Sequence, residues 1–136
     1  MRWLVAFPLI VSLAACAVAA SEPAGQRFPV FFTPMTATLS NGADGVVSAA
    51  AEFANKHPDE RVTLEAYAAP PGHNYVEAAD IDTARGAAVT AQLVADGVNG
   101  TRISSVSRGE VQPEVPMSKI SVRRVDIIVG NPPSGQ

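Results

Sequence analysis

Cys16 is the single thiol among 136 residues, and the chain holds two histidines, His57 and His73. His57 precedes Pro58 in a helix-exit loop, where solvent is its expected neighbour. His73 with Asp80 and Asp82 makes a poor metal set, because no recognised spacing places three ligands on one face. Ser104, Ser105 and Ser107 crowd a short strand and read as sheet-surface hydroxyls rather than nucleophiles. There is no Gly-x-Ser-x-Gly elbow, and no two acids flank an evident cleft. The expectation is a non-enzyme without metal or cofactor. Charge pairing is more informative. Asp82 and Arg85 stand one helical turn apart, a spacing that suits a surface pair worth roughly 0.2–0.5 kcal/mol. Arg123 and Arg124 are adjacent, so an extended backbone turns them to opposite faces.

Cys16 also marks a boundary. Arg2 precedes an apolar stretch from Trp3 to Ala15, and Leu13-Ala14-Ala15-Cys16 closes it. A charged start, a short apolar core and small residues at the end read as an export signal. A membrane span needs about 20 apolar residues, more than this stretch has. The closing tetrapeptide resembles the bacterial lipobox, which implies a cysteine acylated with chains such as palmitate after residues 1–15 are removed. Cleavage after Ala19 or Ala20, discarding Cys16, is the alternative. About 120 residues remain, one domain by length and enough for a core without disulfides. The net charge of -3 and the absence of any basic run beyond Arg123-Arg124 leave no footprint for nucleic acid.

Residues 16–27 are small and polar, a tether from the acylated cysteine. Phe28 to Phe32 suits a strand, with Pro29 restricting it to a strand start or an edge. Asn41 can cap a helix with Asp44 in its first turn and Val46, Ala50 and Phe53 as its core stripe. Pro58 ends that helix near Lys56-His57. Arg61 to Tyr67 alternates, with Val62, Leu64 and Ala66 facing one way. The alanine-rich stretch from about Tyr75 to Asp96 predicts a second helix. Ala84, Ala87, Ala91 and Val94 form one row of it, Asp82, Arg85, Gln92 and Asp96 another, and Gly97 ends it. Arg102 to Ser107 is a short strand candidate. A loop with Pro113 and Pro116 leads to a strand over Val122 to Val129, with Val125, Ile127 and Val129 aligned. The order β-α-β-α-β-β predicts an α/β (α+β) two-layer sandwich, two helices on one face of a small mixed sheet. It spans residues 28–130 and is followed by a polar tail, 131–136.

Val62-Thr63-Leu64-Glu65-Ala66-Tyr67 sits where the OmpA-like domain has its central strand. Ile81-Asp82-Thr83-Ala84-Arg85-Gly86-Ala87-Ala88-Val89 resembles that family's Leu-Ser-x-x-Arg-Ala-x-x-Val helix. Leu93 to Val98 with Arg102-Ile103, Arg108-Gly109-Glu110 before Pro113, and Arg123-Arg124-Val125-Asp126-Ile127 match its later elements in order. The resemblance implies a periplasmic domain that binds peptidoglycan non-covalently through the diaminopimelate of the stem peptide. An Asp in the loop after the central strand and an Arg on the second helix would grip its ammonium and carboxylate, the guanidinium through two hydrogen bonds. Arg85 takes the arginine position, and Arg123 or Arg124 would line the same cleft. The aspartate position falls at Ala69 or Pro70, neither of which carries charge, and Val122 replaces an asparagine. A charge-assisted hydrogen bond is worth about 1.5–3 kcal/mol, so its loss weakens binding on the order of tenfold to a hundredfold.

The sequence thus predicts a lipoprotein of a Gram-negative outer membrane, its domain facing the periplasm. Two roles stay open. One is wall binding through Arg85, Arg123 and Arg124. The other is a protein-protein interaction module that keeps the fold, has lost the pocket and meets an envelope protein instead.

Overall fold

The alternation around Leu64 forms the strand it predicts. In β2 (Val62–Ala68) the side chains of Val62, Leu64 and Ala66 are fully buried, while Thr63, Glu65 and Tyr67 are half-buried on the opposite face. The computed structural model describes residues 25–71, 76–111 and 119–131. Over them run β1 (Gln26–Phe31), α1 (Asn41–Lys56), β2, α2 (Ile81–Ala95), β3 (Ile103–Glu110) and β4 (Arg124–Val129). The sheet order is β1-β4-β2-β3, with β2 and β3 parallel and the other pairs antiparallel. Parallel neighbours need a crossover, which α2 supplies. Val47, Ala50 and Ala54 of α1 and Val89 and Leu93 of α2 share one core with Val30, Leu64, Val125, Ile127 and Val129. Both helices therefore cover the same face of a mixed sheet, and the two-layer β-α-β-α-β-β architecture expected from sequence is the one formed.

Local chemistry sets the helix ends with small departures from expectation. Ser40 is the N-cap of α1, its Oγ accepting from the Ala43 amide at 3.3 Å, so Asn41 is the first helical residue. The buried stripe is Ala43, Val47, Ala50, Ala51 and Ala54, with Val46 and Phe53 at its margin. Alanines at these positions let the helix lie close to the sheet, so the small side chains define the inner face and the bulky ones flank it. Beyond the end of α1, Arg102 donates to the carbonyls of Ala54, His57 and Glu60, adding to the turn in which the His57 amide donates to Ala54 and the Glu60 amide to His57. Arg102 itself lies in a 3-10 turn, and β3 starts one residue later and runs to Glu110.

Helix α2 differs more. It starts at Ile81, not near Tyr75, because the preceding residues are held by tertiary contacts described below. Its inner face is the charged row: Asp82 and Arg85 are buried with Ile81, Gly86, Val89 and Leu93, while Ala84, Ala87, Ala91 and Val94 are exposed. Gly97, at φ 94°, closes the helix: its amide donates to Val94 and that of Val98 to Leu93.

β1 begins at Gln26, two residues inside the expected tether, and β4 begins at Arg124 after a 3-10 turn over Lys119–Val122. Cys16, the export signal, His73, the Pro113–Pro116 loop and most of the tail lie outside the described residues. No helix among the described residues is long and apolar enough to cross a membrane.

Candidate ligand-binding site

Five N–H donors are the whole capacity of a guanidinium, and Arg85 commits all five to its own chain. Nε donates to the Thr36 carbonyl at 3.0 Å, Nη1 to the Tyr67 carbonyl at 3.3 Å and Glu77 Oε2 at 3.1 Å, and Nη2 to the Thr33 carbonyl at 3.4 Å and Glu77 Oε1 at 2.6 Å. The side chain is 0 % exposed, and that of Glu77 is 2 % exposed. The Phe32 ring lies 5.4 Å from the guanidinium carbon and completes the enclosure. This is not the surface pair with Asp82 that helical spacing suggests, nor is it a cation at the mouth of a cleft. It is a buried, bidentate ion pair.

Glu77 is held from three directions. Besides the arginine fork, it accepts the Met35 amide at 3.1 Å and the Ala69 amide at 2.9 Å, so each carboxylate oxygen has two donors. Met35 adopts φ 61°, a left-handed backbone that costs an L-residue roughly 1–2 kcal/mol. The conformation occurs where its amide meets the carboxylate. Burial alone would raise the Glu77 pKa, but the hydrogen bonds from Arg85, Ala69 and Met35 and the adjacent positive charge outweigh it, and the carboxyl titrates below its usual range.

A group whose folded pKa is lowered stabilises the fold fully above its unfolded value, and that stabilisation disappears as pH falls through the folded value. Stability should therefore hold at neutral pH and decline below about 4.3, the ordinary glutamate value. Glu77→Gln should flatten this acid limb. Urea midpoints taken between neutral and acid pH in both proteins measure it, and identical limbs would contradict the pairing.

The acid that the sequence lacks at Ala69 or Pro70 is thus present in space. Ala69 does not supply a carboxylate; its amide binds one. Glu77 precedes Arg85 by eight residues, outside α2, so no helical spacing signals the pair.

Asp82 is a second buried anion at the same end of α2. It accepts from the Thr83 amide at 2.9 Å, the Gly109 amide at 2.9 Å and the Ser107 hydroxyl. Those bonds tie the helix start to the end of β3. They outweigh the burial that would raise its pKa, and the carboxyl is shifted down. Ser107 is therefore a tether for Asp82 rather than only a surface hydroxyl.

The two adjacent arginines differ in setting, since Arg123 precedes β4 and Arg124 begins it. The Arg123 side chain is 7 % exposed, and its carbonyl accepts the Phe32 amide at 2.8 Å, which places its backbone beside the Arg85 enclosure. Arg124 lies on the face of the sheet away from the helices. Its Nε donates to both Asp126 oxygens at 3.1 Å, Nη1 donates to the Ser121 carbonyl, and its guanidinium sits 4.5 Å from the Tyr67 ring centroid. Arg27 and Arg108 join this face through Asp126 and Glu65. Arg85 and Arg124 are thus on opposite sides of the sheet and do not line one cleft. Among the described residues, no three histidines, acids or cysteines gather as a metal site.

The sequence profile of the OmpA family matches residues 31–126. No curated protein matches the sequence significantly. Among solved structures, the peptidoglycan-associated lipoprotein of Burkholderia pseudomallei superposes with a TM-score of 0.64 at 20 % identity, over 74 % of this chain and 88 % of that one. The OmpA-like domain of FopA1 from Francisella tularensis gives 0.66 at 19 %, over 78 % and 72 %. The periplasmic domain of Helicobacter pylori MotB gives 0.66 at 15 %, over 82 % and 79 %. At these identities the structures establish the likeness of fold, and the profile match establishes kinship: the chain belongs to the OmpA family.

Proposed function

We propose that this chain is a non-enzymatic lipoprotein of a Gram-negative cell envelope, anchored in the outer membrane through acylated Cys16. Its OmpA-like domain faces the periplasm and acts as an interaction module for an envelope protein. The observation that carries this reading is the spent guanidinium of Arg85: every donor is paired and the side chain has no solvent exposure. A wall ligand would have to break a buried bidentate pair before it could form one of its own. Arg124, on the other side of the sheet, cannot act with Arg85 on one ligand.

Non-covalent binding of the peptidoglycan stem peptide is the second reading. What favours it is the charge set itself: Glu77 and Arg85 together carry the acid and the base that a group ending in an ammonium and a carboxylate requires. In that case the pair must open to bind.

Sedimentation of the purified protein with sacculi, with free diaminopimelate as competitor, separates the two. An interaction module stays in the supernatant. A wall binder pellets and is released by the competitor, and that outcome would overturn the leading reading. Acyl labelling tests the anchor in parallel, and labelling that survives Cys16→Ala would refute it.

A further inference from the structure

The Glu77 carboxylate sits in a seat built for a carboxylate and not merely beside an arginine. Four N–H groups converge on its two oxygens: the Met35 amide and Arg85 Nη2 on one, the Ala69 amide and Arg85 Nη1 on the other. Three separate chain segments supply them, namely the turn after β1, the end of β2 and helix α2. The remaining Arg85 donors are fixed by the Thr33, Thr36 and Tyr67 carbonyls, so the fork is oriented whether or not Glu77 fills it. The guanidinium half of the seat is therefore oriented by groups that do not include its occupant.

We propose that Glu77 is an intramolecular competitor: it occupies in cis a carboxylate-binding seat formed by Arg85, Met35 N and Ala69 N, and keeps external carboxylates out. A tethered ligand competes at an effective concentration of at least about millimolar, and at far more when it is well oriented. An external carboxylate then binds with its intrinsic affinity reduced by the fraction of molecules in which the seat is empty. The inference stands on the seat's geometry and is independent of the domain's partner.

Truncation at Glu77 gives a matched probe. Glu77→Ala removes the atoms of one acetate ion, so acetate is the ligand that the vacated seat should take. Unfolding is followed for the wild type, Glu77→Ala, Glu77→Gln and the Glu77→Ala/Arg85→Met double variant, in sodium acetate and in sodium chloride of equal ionic strength. A ligand at one hundred times its Kd raises the folding constant about 100-fold. A rise of that order, toward 100-fold as the seat saturates, is expected for Glu77→Ala in acetate. The other three proteins should respond no more to acetate than to chloride. Should Glu77→Ala be unfolded in chloride, recovery of the folded signal in acetate is the same result. An acetate effect shared by all four proteins, or absent from Glu77→Ala, including a variant that stays unfolded in both salts, would overturn the proposal.

Discussion

Arg85→Ala should destabilise the domain by about 3–5 kcal/mol, the cost of leaving a buried carboxylate without its partner. The four-donor cage of Glu77 would fall to two amides, and the carbonyls of Thr33, Thr36 and Tyr67 would each lose one donor. In a domain of about 100 residues each kcal/mol moves the melting temperature by roughly 4–8 °C, so a fall of more than about 10 °C is expected by calorimetry. Arg85→Lys should recover only part of it, since an ammonium cannot reproduce a planar fork aimed at two oxygens and three carbonyls. A change under about 1 kcal/mol would mean that the pair is open in solution. The size of the effect also matters for any binding assay. Loss of an activity on Arg85→Ala would report misfolding first, and ligand contact only if the variant were shown to be folded.

Asp82→Ala should have the second largest effect, about 2–3 kcal/mol, from losing the charged acceptor of Ser107, Thr83 and Gly109. The loss is directional in the fold. Asp82 fastens the first turn of α2 to the end of β3, where the β2–β3 register shifts between Ala66 and Tyr67 and Gly109 adopts φ 70°. Amide exchange should therefore accelerate at Ser107 to Glu110 more than in the core of β2. Asp82→Asn, which keeps one accepting oxygen, should lose less. Neutrality of Asp82→Ala within about 0.5 kcal/mol, with unchanged exchange at the end of β3, would contradict the tethering role.

Much of the fold was legible because period and punctuation agree with tertiary packing in most segments. Val62, Leu64 and Ala66 alternate and are buried, Pro58 and Gly97 stop their helices, and Val125, Ile127 and Val129 line the core as their spacing predicts. Helix α2 defeated the same reasoning. Its row of small apolar residues, Ala84, Ala87 and Ala91, faces solvent, because the inner positions hold two charges, each with enough hydrogen bonds to offset its burial. Hydrophobic pattern cannot anticipate a buried charge whose partners come from distant segments. Its start was misplaced for a related reason. Residues near Glu77 have high helix propensity, but fixing that carboxylate on the Met35 and Ala69 amides takes them out of the helix.

The candidate site was legible by half. Arg85 stood out through its place in the family's helix, whereas its partner did not, since an acid eight residues earlier in a loop matches no helical or strand period. That Arg124 would spend itself on Asp126 and the Tyr67 ring, on the far side of the sheet, depends on cross-strand register and not on its own neighbours in sequence.

Whether Glu77 and Arg85 are locked together is measured most directly by a double-mutant cycle of Glu77→Ala and Arg85→Ala, with stability read from urea unfolding at neutral pH. If the two side chains form one closed unit, removing the second should cost about 2–3 kcal/mol less once the first is gone, and that difference is the coupling energy. Effects that add to within about 0.5 kcal/mol would show two residues acting separately, and the occupied seat would not exist.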